Sequence, residues 1–349
     1  MTAENMANDG AAANSSQILT DDVRQEISSQ SKSTVAGGRM AGAGNLLLFL
    51  VGFALLGWAI YANRVQLARC FAGEINYGRI GAGFIVYVAG MSIAFIRWFF
   101  LVRMQGIPIP LADSLRLSVV GGLFNLVIPG AVGGDLVKAA YLARIDIPRV
   151  RAFSSMVIDR MIGLLGLFLL ASVAGLSAWA NSPAEVHRIT IFALLVTIGV
   201  IAFLGLVFSG FISGKSSKSA ELRAMSAAYR SHLPAIAFWT IASMMIHVCN
   251  TWAFYSVSLG ILPEMKINLP THLQIVPLVL FSTAVPLPLG AIGLSENVSD
   301  FLFKNVGHPD GAIAMMGFRI LQFGFGLCAI PVYLANLSSM KRLTEQKWN

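Results

Sequence analysis

Long stretches without a single charge set the first constraint on this chain: residues 45–62, 189–212 and 235–260 contain none. A helix needs about 20 mostly apolar residues to cross the ~30 Å hydrocarbon core of a bilayer, and each stretch is close to that length or above it. Three more candidates, residues 80–100, 153–176 and 311–337, carry only one or two charges each. Only 12% of the 349 residues are charged, against about 25% in a soluble domain. The pattern predicts an all-α, polytopic membrane protein. The net charge of +8 sits in short loops, where anionic lipid and membrane topology account for it. No nucleic-acid motif accompanies it, so nucleic acid is not an expected partner. Cys70, Cys249 and Cys328 are far apart and lack metal-ligand spacing, and no metal or cofactor is expected.

Two further apolar stretches are interrupted. Residues 111–128 run into Pro129, Gly130, Gly133, Gly134 and Asp135, and residues 271–285 run into Pro286, Pro288, Gly290, Gly293 and Glu296. Proline and glycine break helices. Broken backbone at membrane depth is tolerated only when it is buried in protein or lines a cavity. Both stretches are therefore expected to be re-entrant hairpins that leave the membrane on the side they entered. Six full crossings plus two hairpins, eight membrane segments in all, place both termini on one side. Of the 25 Lys and Arg residues, 17 then fall on that side and 6 on the other, while Arg160 and Arg319 lie within membrane segments. Under the positive-inside rule both termini are cytoplasmic, in the inner (cytoplasmic) membrane. The expected organisation is a disordered polar cytoplasmic leader (1–44), a first membrane repeat (45–176), an outer loop (177–188), a second repeat (189–337) with a cytoplasmic loop at 213–234, and a cytoplasmic tail (338–349).

Each half has the same plan of crossing, crossing, hairpin, crossing. Pro129 and Pro288 are 159 residues apart, as are Arg160 and Arg319, and Asp135 and Glu296 are 161 apart. The first half starts from the cytoplasm and the second from outside, so the repeat is inverted. Inverted repeats whose broken helices meet near the midplane are a signature of secondary transporters.

A family resemblance rests on Arg97-Trp98, on residues 125–135 (Asn125 to Pro129, then Gly130, Gly133, Gly134 and Asp135), and on Asp159-Arg160 with Gly163. In the second half it rests on Pro288, Gly293, Ser295, Glu296 and Arg319. Together these resemble the transmembrane, flippase-like domain of the lysylphosphatidylglycerol synthase family, the membrane half of bacterial multiple peptide resistance factors, over about residues 45–340. The sequence departs from the pattern at Lys138, where the family often has arginine, and in a second loop less rich in glycine. The resemblance implies the lipid-translocating half without the soluble aminoacyl-transferase domain. A separate lipid-synthesising enzyme and a homo-oligomer are possible partners beside membrane lipids.

Asp135, Arg160, Glu296 and Arg319 are the leading site candidates, because charge within a bilayer is costly and functional by default. They either form a polar centre that meets a lipid phosphate or headgroup, with arginine as the anion clamp, or form two acid–arginine pairs that only hold the hairpins. Gly133 and Gly134, with Gly130, either offer backbone N–H groups to a phosphate or allow close helix packing. Asp159 is expected to pair locally with Arg151, with a coupling proton as the alternative. Asn125 is expected to satisfy carbonyls freed by Pro129. Arg97-Trp98 reads as an interface anchor, with a role in substrate access as the alternative. His247 and Asn250 are expected to make interhelical hydrogen bonds.

These readings combine into a lipid flippase or transporter that moves a polar-headed lipid between leaflets, with no catalytic residues. The rival is a membrane-embedded transferase that modifies a lipid carrier, which would need an acidic metal-binding cluster or a catalytic base. The sequence has no G-x-x-x-x-G-K-[ST] nucleotide loop, so an ion, voltage or lipid gradient would supply the energy. Cysteines introduced at Ser216 and Asn181 should label from opposite sides, Ser216 from the cytoplasm. Labelling of Ser216 from outside intact cells would overturn the orientation.

Overall fold

Caps and breakers set the helix boundaries in the computed structural model, which describes residues 50, 53–65, 67–68, 73–127, 133–144, 147–209, 217–265, 268–285, 287 and 291–335. A short apolar helix, α1, covers Phe53–Ala62. The Asn76 side chain accepts from the Arg79 N–H and opens α2 (Tyr77–Met104). This helix stops where Gly106 adopts φ 73°, a conformation that costs glycine little. There follow α3 (Leu111–Val127), α4 (Gly133–Arg144), α5 (Arg149–Ser177), α6 (Ala184–Phe208), α7 (Ser217–Arg230) and α8 (Leu233–Ile261). Then come α9 (Leu269–Ser282), α10 (Leu294–Lys304), α11 (Gly311–Leu327) and α12 (Ala329–Ala335). Prolines precede or open α5, α6, α8 and α9, where the missing N–H is no loss.

Five of the expected crossings appear as helices long and apolar enough to span a bilayer: Tyr77–Met104, Arg151–Ser177, Ala184–Phe208, Leu233–Ile261 and Gly311–Val332. The first expected crossing, residues 45–62, is described mainly over α1. The leader (1–44), the tail (338–349), Pro129, Gly130, Pro286 and Pro288 lie outside the described residues. The side chains of α6 show the solvent for which the fold is built. Leu195, Ile198, Ile201 and Leu206 point outward, while Thr190, Ala193 and Thr197 face the protein. Along most of this helix large apolar groups lie outside and small or hydroxylated ones inside, which suits hydrocarbon surroundings, and only the last turns bury large side chains, Leu204 and Phe208. The chain is a multi-pass membrane protein.

Both interrupted stretches are helix–break–helix units. Tyr141 donates to Asp113 (3.0 Å) and the Gly134 N–H donates to Asn125 (2.7 Å), so α4 runs back along α3. In the second unit the His272 ring meets Phe303 at 5.4 Å, so α10 likewise folds back on α9. Gly293 opens α10 at φ 83°, a backbone value that favours glycine.

The central seam is α2 against α8. The Asn76 N–H donates to the Gly260 carbonyl, the Ser256 hydroxyl donates to the Arg79 carbonyl, and Arg97 Nη1 donates to Ser243. Partners rise along one helix as they fall along the other, so the two are antiparallel. Glycines bring the helices close: a Cβ on Gly90 would sit 2.9 Å from the Cys249 Cβ. The α5–α8 contact is closer still, since a Cβ on Gly166 would lie 2.5 Å from the Ser243 Cβ and 2.8 Å from the Met244 N. Elsewhere α3 packs on α11 and α12, and α9 packs on α5.

The stretch 213–234, read from sequence as a loop, contains α7. Met225 and Tyr229 on this helix are buried with Leu101, Phe208 and Ile236. The Tyr229 hydroxyl accepts from Gln105 Nε2 (2.6 Å), and burial pushes its phenol well above the usual pKa.

Gly166→Ala should destabilise the fold by about 1–3 kcal/mol, because the new methyl meets backbone that cannot move alone. Gly199→Ala, with nothing within 4 Å of its added Cβ, should leave thermal unfolding in detergent unchanged or improved. Equal melting temperatures for the two variants would disprove the tight α5–α8 contact.

Candidate functional site

Each helix–break–helix unit places a carboxylate in the first turn of its second helix, Asp135 on α4 and Glu296 on α10. A carboxylate there is favoured by the helix dipole and by otherwise unpaired N–H groups. Each also meets an arginine on the long helix that follows. Arg160 Nε donates to Asp135 Oδ2 and Arg319 Nε donates to Glu296 Oε1, both at 2.5 Å. The four leading sequence candidates thus come together as two acid–arginine pairs.

The pairs differ in their surroundings. The second is sealed, with the Glu296 and Arg319 side chains 0% and 6% exposed. Glu296 also accepts from the Gly293 N–H (2.6 Å) and the Ser295 hydroxyl (3.2 Å), and Arg319 Nη2 donates to Ser295. The first is open, with Asp135 25% and Arg160 37% exposed. It also has charged neighbours. Arg97 Nε donates to Asp159 Oδ1 (2.9 Å) and Arg97 Nη1 donates to Ser243 (2.7 Å). The Lys138 ammonium stands 4.3 Å over the Trp98 ring, a cation–π contact. The Arg97 guanidinium lies against Gly163, where an added Cβ would stand 3.4 Å from its Nη atoms. His247 Nε2 donates to the Gly163 carbonyl (3.0 Å), an interhelical bond.

Three expectations are corrected. Asp159 pairs with Arg97, 62 residues away, and not with Arg151. Its partner comes from α2 because tertiary packing of α2 against α5 brings the two side chains together. Arg97 and Trp98 are 7% and 1% exposed; they are buried, where an interface anchor would lie at the lipid–water boundary. Asn125 accepts from the Gly134 amide at the start of α4 and so caps an N–H; it was expected to serve carbonyls freed by the proline. Gly133 and Gly134 face Phe124 and Gly121 so closely that a Cβ on either would press on the backbone of α3. This is the geometry of close packing, and one amide a phosphate would need is already bonded. Sequence reading counted Lys138 among the cytoplasmic cations and named it as a departure from a motif. Its position three residues after Asp135, on the same helix face, was the available signal. Ser295 was named only as part of the family motif, and Ser243 carried no such signal.

Breaking a buried ion pair strands the remaining charge and costs about 3–5 kcal/mol. Glu296→Gln should therefore lower the melting temperature in detergent more than Asp135→Asn, whose pair is partly screened. Glu296→Gln combined with Arg319→Gln should recover much of the loss. A single-variant loss equal at the two sites would contradict the difference in burial.

A comparison with curated proteins found no match. The family model described as "Lysylphosphatidylglycerol synthase TM region" matches residues 34–330. That span contains both interrupted stretches and all four acid–arginine residues, and on it the chain belongs to the lysylphosphatidylglycerol synthase transmembrane-region family.

Proposed function

We propose that this chain is a transporter of polar-headed lipids, a flippase, and that it works without catalysing a covalent step. In this reading it lies in the cytoplasmic membrane with both termini cytoplasmic, as six crossings and two re-entrant hairpins in inverted repeat. The lipid headgroup passes between the hairpins at the acid–arginine centres while its tails stay in the bilayer.

The observation that carries the proposal is the antiparallel seam of α2 and α8. These are corresponding helices of the two halves, and corresponding elements that run in opposite directions are what an inverted repeat requires. Reciprocal packing gives further support. The first hairpin's α3 lies on the last long helix of the second half, and the second hairpin's α9 lies on α5, the last long helix of the first. The two centres also lie at different levels. Arg97 of the first binds Ser243 on α8, whereas Phe318, next to Arg319, meets Phe254 with ring centroids 5.4 Å apart. Eleven residues along α8 correspond to about 16 Å.

The test is Asp135→Asn combined with Arg160→Gln, which removes both charges and keeps the shapes. Yield and folding should recover relative to either single variant, while transport of a fluorescent phospholipid in proteoliposomes should stay lost. Wild-type flipping by the double variant would remove these residues from the lipid path.

A further inference from the structure

The two acid–arginine centres hold equivalent positions but carry unequal charge. Around Asp135 and Arg160 stand Arg97, Lys138 and Asp159, three cations against two carboxylates. Around Glu296 and Arg319 the counts match. The corresponding positions of the second half explain the difference. At the 161-residue spacing of Asp135 and Glu296, Lys138 corresponds to Ser299, which donates to the Gly311 carbonyl (2.7 Å). At the 159-residue spacing of the arginines, Asp159 corresponds to Phe318. One centre is neutral, sealed and flanked by aromatic rings, and the other is partly open and has one positive charge in excess.

The excess lies on Lys138. Both carboxylates of its centre are bonded to arginines. Among the described residues no carboxylate lies within ion-pair distance of Lys138, although Asp135, Asp159, Arg97 and Arg160 all act on it electrostatically. Its ammonium rests on the Trp98 ring, which leaves N–H donors to spare. Trp98 adds another: its Nε1 is buried with no hydrogen-bond partner among the described residues. A surplus cation with surplus donors, beside a half-open ion pair, matches a monoanion rich in acceptor oxygens.

We infer that Lys138, with Arg160 beside it, receives the phosphodiester of a membrane phospholipid at the first-half centre, while the Glu296–Arg319 centre is a closed lock that takes no anion. This rests on the transport reading for its consequence but can be tested apart from it. Lys138 would be a binding residue that acts before any movement between leaflets.

The experiment measures thermal unfolding of the full chain in detergent with added phosphatidylglycerol, diacylglycerol or inorganic phosphate. Phosphatidylglycerol should raise the melting temperature of the wild type, and diacylglycerol, which lacks the phosphate, should not. Lys138→Gln should weaken the apparent affinity for phosphatidylglycerol about tenfold, the loss of one charge-assisted contact. Lys138→Arg, which keeps the charge, should respond within a few fold of wild type. Lys304→Gln on α10 controls for loss of charge elsewhere and should behave as wild type. Equal responses of Lys138→Gln and wild type would overturn the site, and a shift produced by inorganic phosphate as strongly as by phosphatidylglycerol would overturn its assignment to lipid. Proteoliposome flipping of labelled phosphatidylglycerol separates the two proposals. Binding lost in Lys138→Gln with no wild-type flipping would keep the site and defeat the transport reading. Wild-type flipping at unchanged apparent affinity in Lys138→Gln would do the reverse.

Discussion

Hydrocarbon offers nothing to a bare amide, carbonyl or charge, and most of this structure follows from that constraint. A helix satisfies its own backbone, so the crossings need only apolar surface. A helix that starts inside the protein exposes N–H groups and has to be met by other polar atoms. At the start of α4 the Asn125 side chain supplies one acceptor, and at the start of α10 Glu296 turns back onto the Gly293 amide. The carboxylate in the first turn of each second helix is itself costly to bury, and an arginine on the next long helix answers each. Break, acid and arginine are successive solutions to one problem of solvation.

The two solutions are closed to different degrees. Glu296 accepts three hydrogen bonds and its pair with Arg319 is buried. Around Asp135 the same chemistry is left ajar, and a second ion pair and a lysine are packed beside it. Buried ion pairs contribute little net stability compared with apolar packing, because desolvation offsets attraction. The Phe254–Phe318 contact shows that the fold can fill the corresponding space with hydrocarbon rings. The Arg97–Asp159 pair on the other side therefore brings little net stability over apolar packing.

The sequence allowed the crossings to be read well. Long stretches with few or no charges located α2, α5, α6 and α8 to within about five residues at each end, and the start of α11, because apolarity is what a bilayer selects. The two acid–arginine pairs were also legible, because repetition at nearly the same spacing, 161 residues for the acids and 159 for the arginines, marked residues that would otherwise look isolated. Contacts between distant segments were not. Nothing in the spacing of Arg97 and Asp159 announces a bond across 62 residues, and Arg97-Trp98 shows the same composition whether it anchors an interface or lies in a core. Asn125 has both donors and an acceptor, and which one is used depends on how closely the glycines let α3 and α4 approach. Helix α7 was missed because its charged face hides the buried one when residues are only counted.

The outward-facing side chains of α6 have a thermodynamic consequence of their own. Leu195, Ile198, Ile201 and Leu206 turn away from the protein, so their transfer free energy is gained from lipid and is independent of whether α6 touches α5. Partition holds this helix in the membrane, while a line of contacts from Val186, Thr190, Ala193, Thr197, Val200, Leu204 and Phe208 decides where it docks. In water the balance reverses, because the face that makes α6 a stable wall becomes the most adhesive surface of the molecule. For this helix the bilayer is a component of the fold, and much of the driving force that keeps it in place resides outside the polypeptide.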